Sequence, residues 1–471
     1  MNIYDLIPET KKLISKDIFL NSISINSKEI NKGDAFISID GSKKNRELYI
    51  DDAIQRGAIV ILTNLDSNFK ASIPILFIKD LKETLSNLSN NFHQSPSNKI
   101  KVFGITGTNG KSSVASYLYQ IKKLHKEKVG LISNLNNEDN YYSKLTTPDT
   151  FLLNKIIRTC VEEDKKSIIF EVSSHAIQQK RIEGIDFDYG CLTSFSRDHL
   201  DYHGSMKEYS KVKENFFKEN SFTKAIINTE SNLGKKLVNQ NKNFISLSSI
   251  DKSADIYLEN KKEISIIHTP WLKINLPQDI FAKHVMMNIA SSLGLFLAGT
   301  KTKKIKEINF KKLEGLPGRL ESCKLTFNQS CFIDYAHTPE ALKATLKALR
   351  NEYTGTLICI FGCGGERDKG KRVLMGEIAS SFADNIIITN DNPRSEDSRV
   401  ISSEILKGIK DKSKTEVIYD RTIAIKTGLN KLKGEEKRSV LLIAGKGHES
   451  FQEISGRFIK SNDYEIVRSL D

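Results

Sequence analysis

From residue 331 onward, apolar runs recur at regular intervals. CFIDY, TLICIFG, NIIIT, EVIYD and SVLLIAG read as strands, and segments such as PEALKATLKALR between them carry apolar residues at helical spacing. Strands alternating with helices predict βαβ units around a mostly parallel sheet. In such sheets ligands gather at the carboxyl ends of strands. Three polar loops, FGCGGERDKG, TNDNPR and AGKGHE, each lie at such an end.

Earlier in the chain, KVFGITGTNGKSS (101–113) reads as a strand, a glycine turn and a helix whose Val114, Leu118, Ile121 and Leu124 share one face. SIIFEVSSHA (167–176) is a second apolar strand running into a polar end, and SMKEYSKVKENFFKEN has helical spacing. Two punctuated stretches mark boundaries: HQSPSNK (93–99) is polar around a proline, and EGLPGR (314–319) brackets a proline with glycines. The length of 471 residues exceeds what one core serves and suggests several domains.

Composition changes this picture little. A content of 39% hydrophobic and 27% charged residues is ordinary for a soluble globular protein. The formal net charge of +13 invites a nucleic-acid partner. However, the lysines are scattered in KK and NK pairs and form no basic stripe interleaved with aromatics, so nucleic acid is set aside. The six cysteines (160, 191, 323, 331, 359 and 363) show no paired metal spacing and read as reduced core thiols. The first residues, MNIYDLIPETKKLISK, hold no apolar core of signal-peptide length, and no apolar run reaches the ~18 residues of a membrane span. The expectation is a soluble cytoplasmic protein without a membrane partner.

The candidate chemistry sits on loops. In GTNGKS, Gly107 and Gly110 let backbone amides converge on phosphate, Lys111 reaches the terminal phosphates and the Ser112 hydroxyl can ligate Mg²⁺. The strict pattern wants glycine at position 105, where this chain has Ile105, yet the flanking strand and helix make an ATP site the expectation. Glu171 closes a buried strand and needs a cation there, which makes it a second candidate ligand for that Mg²⁺; a satisfied surface carboxylate is the bland alternative. SRDHLDYHG (196–204) packs acids and histidines together without the wider spacing of a zinc or iron site. Gly362 and Gly364 begin a dinucleotide fingerprint that fails at Arg367. In TNDNPRSED (389–397), Pro393 stops the preceding strand and biases Asn392 toward an extended or turn conformation. Asp391, Asn392 and Arg394 are thereby set on a stiff loop.

These motifs in this order resemble one family. GITGTNGKSS, TTPD (146–149), EVSSHA, SRDHLDYHG with Lys213 downstream, LPGRLE (316–321), DYAHTPEAL (334–342), FGCGGERDKGKR, DNPR and AGKGHE are similar, over essentially the whole chain, to the Mur ligases of peptidoglycan synthesis. The MurE branch, which adds the third residue of the stem peptide, is the most similar. The related folylpolyglutamate synthases share the ATP-binding logic but would not carry DNPR together with GKGHE.

The resemblance implies an α/β protein of three domains: a small α/β N-terminal domain for the uridine diphosphate sugar (1–96), a central P-loop ATPase domain with a parallel sheet (97–315) and a C-terminal Rossmann-like domain for the incoming amino acid (316–471). It places Thr108, Asn109, Ser113, His284, Asn288, Arg319 and Asp334 around ATP with the loop residues already named. Ile25 and Ser27 would contact the nucleotide sugar. Thr146, Thr147, Ser173, Gln179 and Arg181 would hold the muramoyl dipeptide. Glu171 and His199, with Ser112, would be magnesium ligands, and Lys213 would carry a CO₂-derived carbamate bridging to a second Mg²⁺. Arg367, Asp391, Asn392, Pro393, Arg394, Gly445 and Glu449 would form a diaminopimelate site.

The implied activity is ATP-dependent ligation of meso-2,6-diaminopimelate to UDP-N-acetylmuramoyl-L-alanyl-D-glutamate, by a monomer with small-molecule partners. The alternatives are the same ligase using L-lysine, a folate polyglutamylase, or an ATP-binding regulatory protein that has lost catalysis. Intact Lys111, Glu171, His199 and Lys213 argue against the last. Three places depart from the family pattern: Val285 replaces a second asparagine, Ser42 stands where a histidine is common, and LISNLNNEDNYYS lacks glycines before TTPD.

Overall fold

The computed structural model describes residues 1–12, 17–39, 43–64, 71–133, 141–143, 145–261, 264–277, 280, 282–300 and 310–470. Ser42 and positions 134–140 of LISNLNNEDNYYS lie outside the described residues. The chain forms two compact units. The first comprises residues 1–104, 126–190 and 215–223, and the second 105–125, 191–214 and 224–471.

The first unit opens with a parallel sheet in the order Ile23–Ser24, Ala35–Ser38, Val60–Thr63, Ile75–Phe77. Its strands are apolar at nearly every position because both faces are covered. Ala35, Ile37, Val60 and Leu62 enter one core with Leu81, Leu88 and Phe92, while Phe36 and Ile61 enter the other with Ile50 and Ala53. Helix Leu81–Phe92 meets helix Thr150–Glu162 through a buried polar contact, in which Ser89 Oγ donates to the Thr150 carbonyl at 2.9 Å. Strands Val129–Ser133 and Ser167–Glu171 pair in parallel, with Val129 opposite Ser167.

In the second unit, strands Lys224–Asn228, Phe244–Ser248 and Ile256–Asn260 run parallel, and Ser265–His268 and Lys273–Leu276 complete that edge antiparallel. Helix Lys111–Leu124 lies against helix Lys283–Gly299, where Ser292 Oγ donates to the Val114 carbonyl at 3.0 Å. The C-terminal sheet has the order Glu321–Cys323, Ser330–Asp334, Val440–Ala444, Leu357–Phe361, Asn385–Ile388, Thr415–Val417. All its neighbours are parallel except the first pair. Alternation is strict: Cys359, Phe361, Leu442 and Ala444 face helices Pro339–Glu352 and Gly370–Phe382, whereas Ile358, Ile360, Leu441 and Ile443 face helix Arg421–Lys433. The helices thus switch faces around Val440–Ala444, the arrangement that opens a crevice beyond the strand ends. Register places those ends side by side, with Asp334 opposite Ala444, Ile360 opposite Ile443 and Phe361 opposite Ile388.

Among the described residues no helix is long and apolar enough to cross a membrane. All six cysteines are buried and free, as expected of core thiols.

One buried ion pair fastens these strand ends from beneath. The Arg421 guanidinium grips Asp463 with Nε and Nη2 both at 2.7 Å, and also donates to the carbonyls of Ala444 (3.1 Å) and Asn390 (3.2 Å). Removing one partner of such a pair strands the other charge in the interior, at about 3–5 kcal/mol. Arg421→Ala is expected to lower the melting midpoint of this unit by roughly 6–20 °C, using about 2–4 °C per kcal/mol. A shift within about 2 °C in a calorimetric scan would show that water enters to solvate Asp463.

Candidate active site

Strand Lys101–Thr106 ends in the turn Gly107–Gly110, and helix Lys111–Leu124 begins at once. Both glycines are required. Gly107 has φ +152° and a Cβ there would stand 1.9 Å from Thr193 Oγ1; Gly110 has φ +89° and a Cβ there would stand 2.5 Å from Asn288 Oδ1. The segment 193–196 fastens the turn. The Thr108 amide donates to the Ser194 carbonyl (2.9 Å), the Asn109 amide to Ser194 Oγ (2.9 Å), and Thr193 Oγ1 donates to the Asn109 carbonyl (2.6 Å). Gly110 supplies no side-chain cap, so the first amides of the helix and its positive end are left for an anion.

Two lysines meet over this turn. Lys111 Nζ donates to the carbonyls of Gly107 (3.1 Å) and Thr108 (2.9 Å), while Lys213 Nζ donates to the same Gly107 carbonyl (3.0 Å) and to Thr106 Oγ1 (3.2 Å). Lys213 is only 1% exposed on helix Met206–Glu219. Burial, and then the Lys111 charge, push its ammonium well below the ordinary lysine range, with Asp198 opposing. A neutral, nucleophilic amine is therefore accessible at this position.

Asp198 is buried beside them. Its Oδ2 lies 3.4 Å from His199 Nε2 and 3.9 Å from His337 Nε2, and its Oδ1 accepts from the His199 amide at 2.9 Å. Burial works to raise this carboxyl, but the charges of His337, His199 and Lys371, together with the amide, hold it below the usual range. His337 is itself pushed down by burial, so Lys371 and the amide are the dependable supports of the carboxylate. His199 adopts φ +53°, a left-handed strain for a non-glycine residue, and starts the short helix Leu200–His203.

The loops beyond the C-terminal sheet close on this group. Arg197 grips Asp368 with Nε and Nη2 at 2.8 and 2.9 Å, Asn109 Nδ2 donates to Thr338 Oγ1 at 3.1 Å, and Arg367 Nη1 stands 3.6 Å from Asp201. Arg319 covers the Tyr335 ring at 4.4 Å. The Asp334 carboxylate accepts from the amides of Leu320 (2.6 Å) and Ala336 (3.0 Å) and so shapes the loop around it. His284 Nδ1 and His448 Nδ1 are buried with no hydrogen-bond partner among the described residues, a donor–acceptor deficit that a polar ligand could fill.

TNDNPR, FGCGGERDKG and AGKGHE come together as the strand pattern predicts. Arg394 has φ +54°. Its Nη1 donates to the Gly365 carbonyl at 2.7 Å, and its Nε faces Glu453 Oε2 at 3.3 Å. Asn392 Nδ2 donates to Glu449 Oε2 at 2.8 Å, and Glu449 is also reached by Tyr335 Oη (3.3 Å) and Lys446 Nζ (3.2 Å). A Cβ at Gly365 would stand 1.9 Å from the Pro393 carbonyl, and one at Gly445 would stand 2.6 Å from Asp391 Oδ2. The crowding makes glycine obligatory at both crossings.

In the first unit, Thr147 Oγ1 donates to the Glu171 carbonyl at 2.9 Å and accepts from the Ser173 amide at 3.0 Å. Arg181 Nη1 donates to the Thr147 carbonyl at 3.0 Å, and its Nε to Gln179 Oε1 at 3.0 Å. These residues form one cluster, with Thr146 next in the chain. Glu171 is buried at the end of its strand. Ser27 is also buried, and its hydroxyl bonds the Asp52 carboxylate; Ile25 packs on the core of the N-terminal sheet.

The described residues hold no group of three or more His, Cys, Asp or Glu side chains suited to a metal ion. A magnesium ion accompanying a nucleotide keeps waters and phosphate oxygens and takes only one or two protein ligands. The Ser112 hydroxyl, in the first turn of the helix, is an oxygen donor of the kind Mg²⁺ takes, whereas the His199 imidazole suits it less well. Four contributors escaped the sequence reading: Asp198, His337, Lys371 and the Arg197–Asp368 fork. All lie within quoted motifs, but only the fold shows that they meet.

Comparison with known proteins agrees with this geometry. The family model "Mur ligase middle domain" matches residues 105–296, and "Mur ligase, glutamate ligase domain" matches 318–447. A UDP-N-acetylmuramoyl-L-alanyl-D-glutamate--2,6-diaminopimelate ligase of Coxiella burnetii is 31% identical, covering 98% of each chain. Its counterpart from Caldanaerobacter subterraneus is 33% identical over 100% of this chain and 99% of its own. A solved structure of a ligase of that name superposes with TM-score 0.66 at 25% identity, covering 100% of this chain and 98% of its own. The fold is shared as well by MurF ligase from Thermotoga maritima in complex with ADP, at TM-score 0.67 and 18% identity, over 97% and 98% of the two chains. With its motifs, its fold and two matched domains in agreement, the chain belongs to the Mur ligase family.

Proposed function

We propose that this protein is an ATP-dependent, ADP-forming amide ligase that joins meso-2,6-diaminopimelate to UDP-N-acetylmuramoyl-L-alanyl-D-glutamate. The observation that carries the reading is the joining, within one compact unit, of a phosphate loop crowned by Lys111 and Lys213 to the loops of the C-terminal sheet, through Asn109 on Thr338 and Arg197 on Asp368. The reading includes three domains divided near residues 97 and 316, which the matched segments 105–296 and 318–447 support.

A carboxylate does not acylate an amine at neutral pH, because oxide would have to leave. In the proposed reaction a carboxylate oxygen of the D-glutamyl residue attacks the γ-phosphorus, and the bond to ADP breaks. The amine of diaminopimelate then adds to the acyl phosphate carbon; phosphate departs with the bonding pair, and the amine gives up a proton. Turn amides and Lys111 hold the transferring phosphoryl group, and their fixed positive ends match the charge that develops on it. Magnesium, when bound, supplies charge cancellation on the phosphate oxygens. Ser112 is the proposed ligand of the ion on the phosphates, and Glu171, His199 and a carbamate on Lys213 are proposed for a second ion. His284, Asn288 and Arg319 are assigned to the nucleotide, Thr147, Ser173 and Arg181 to the dipeptide, and Ile25 and Ser27 to the sugar nucleotide.

The Lys213 environment supports the carbamate reading. Its depressed ammonium leaves neutral amine to attack CO₂, and the product exchanges a cation crowded by Lys111 for an anion attracted to it. Lys213→Ala should abolish ligation, and a short carboxylate such as acetate should restore part of it. Near wild-type turnover of the variant would refute the role. Lys111→Ala should lower turnover by several orders of magnitude, because the charge aimed at the transferring group is lost. A loss below about tenfold, roughly 1.4 kcal/mol, would place ATP elsewhere.

Arg394 selects the amino acid. Diaminopimelate differs from lysine by a distal carboxylate, which a planar guanidinium binds through two parallel bonds. Glu449 takes the distal ammonium. L-Lysine offers the guanidinium no carboxylate, so it forgoes this charge-assisted contact. Wild type should favour diaminopimelate over L-lysine by at least ~10²-fold in kcat/KM, and Arg394→Ala should lose most of that preference. Equal use of L-lysine by wild type overturns the assignment.

A further inference from the structure

The hairpin Phe451–Ile454/Arg457–Lys460 follows AGKGHE and returns to the DNPR loop. The Arg394 amide donates to the Glu453 carbonyl at 3.0 Å, and the Ser455 amide donates to the Arg394 carbonyl at 2.7 Å. The Glu453 amide in turn donates to Asn392 Oδ1 at 2.9 Å. Backbone bonds therefore fix Glu453 beside two residues assigned to the amino-acid substrate. Its carboxylate stands 3.3 Å from Arg394 Nε, with the two side chains 31% and 21% exposed.

The Arg394 fork is divided by this arrangement. Nη1 is spent on the carbonyls of Gly365 (2.7 Å) and Asn392 (3.4 Å). An incoming carboxylate that binds in two-point fashion must then use the Nε–Nη2 edge, and Glu453 already stands at Nε. We propose that Glu453 is a specificity-determining residue: a resident carboxylate that competes with the distal carboxylate of the substrate for Arg394. This rests on the assignment of the loop group to diaminopimelate, and it adds a charge that the arginine must share. The pair meets a distance criterion for attraction without the alignment of a hydrogen bond, and both groups reach solvent. Such pairs are weak, which suits a partner that yields to the substrate.

The consequence has a sign. With Glu453 in place, a second carboxylate arrives at a guanidinium already partly neutralised, and like charges oppose each other. Glu453→Gln keeps the shape and backbone bonds but removes the rival charge. KM for diaminopimelate should fall by roughly one-and-a-half- to fivefold, the range of a partly exposed ion pair. The change should lie in KM more than in kcat, and the kcat/KM ratio of diaminopimelate to L-lysine should rise. In an Arg394→Ala background the same substitution should have no such effect, which separates charge competition from a change in hairpin structure. Glu453→Ala, assayed in parallel, should lower KM in the same direction if loss of charge is the cause. An unchanged or higher KM in Glu453→Gln, with wild type still preferring diaminopimelate, overturns this inference alone. If wild type shows no preference, the function assignment fails and this inference fails with it.

Discussion

The carbonyl oxygen of Gly107 accepts hydrogen bonds from Lys111 and from Lys213. Two amines that share one acceptor repel each other, and Lys213, the buried one, also loses hydration. Buried Asp198 compensates in part. A phosphate at the turn, or loss of charge at Lys213, would relieve the repulsion further. The turn creates this situation. Gly107 and Gly110 bring the backbone against Thr193 and Asn288, where no side chain fits, and the segment 193–196 fastens it there. A turn built this way presents two amines and the positive end of a helix, a setting that suits an anion.

The second constraint is the direction of the C-terminal sheet. Parallel strands in register end on one edge, so loops separated by more than one hundred residues in sequence, at 335–338 and 445–449, become neighbours. Helices that cover opposite faces around Val440–Ala444 leave the crevice open above it. Polar side chains placed there are held by the main chain. Asp334 is tied by two amides, Asn392 by the Glu453 amide, and Arg421 reaches up to the carbonyls of Ala444 and Asn390. A few ångströms of play would spoil a two-point carboxylate contact, and these bonds limit it.

What could be read from the sequence followed from local rules. Continuous apolar runs with helical spacers announced the C-terminal sheet, because strands buried on both faces have no polar positions to break the run. Glycine at Gly107 and Gly110 announced the phosphate turn, since each satisfies a backbone need within a few residues. Asp198 was harder. In SRDHLDYHG it is one of two aspartates beside two histidines, and nothing local distinguishes the buried one. Its burial depends on His337 and Lys371, more than one hundred residues away. The Arg197–Asp368 fork was invisible for the same reason, as a charged pair carries no periodic signal. Nothing local in the sequence marks Glu453, and only the bridge between Arg394 and Ile454 places it against Arg394.

On the proposed assignment, the amino-acid loops would suit a zwitterionic head better than a single charge. Arg394 and Lys446 supply cations, Glu449 and Glu453 supply anions, and they alternate: Lys446 on Glu449 at 3.2 Å, Glu453 on Arg394 at 3.3 Å. Such a set is close to neutral, so it neither repels nor strongly attracts a ligand that carries both signs. Binding then depends on geometry, because each ligand charge must displace a resident protein partner, Glu453 from Arg394 and Lys446 from Glu449. An ammonium alone would serve Glu449 and offer Arg394 nothing; a carboxylate alone would serve Arg394 and repel Glu449. Only a ligand end bearing both groups exchanges both pairs at once. That requirement turns a nearly neutral crevice into a selective one.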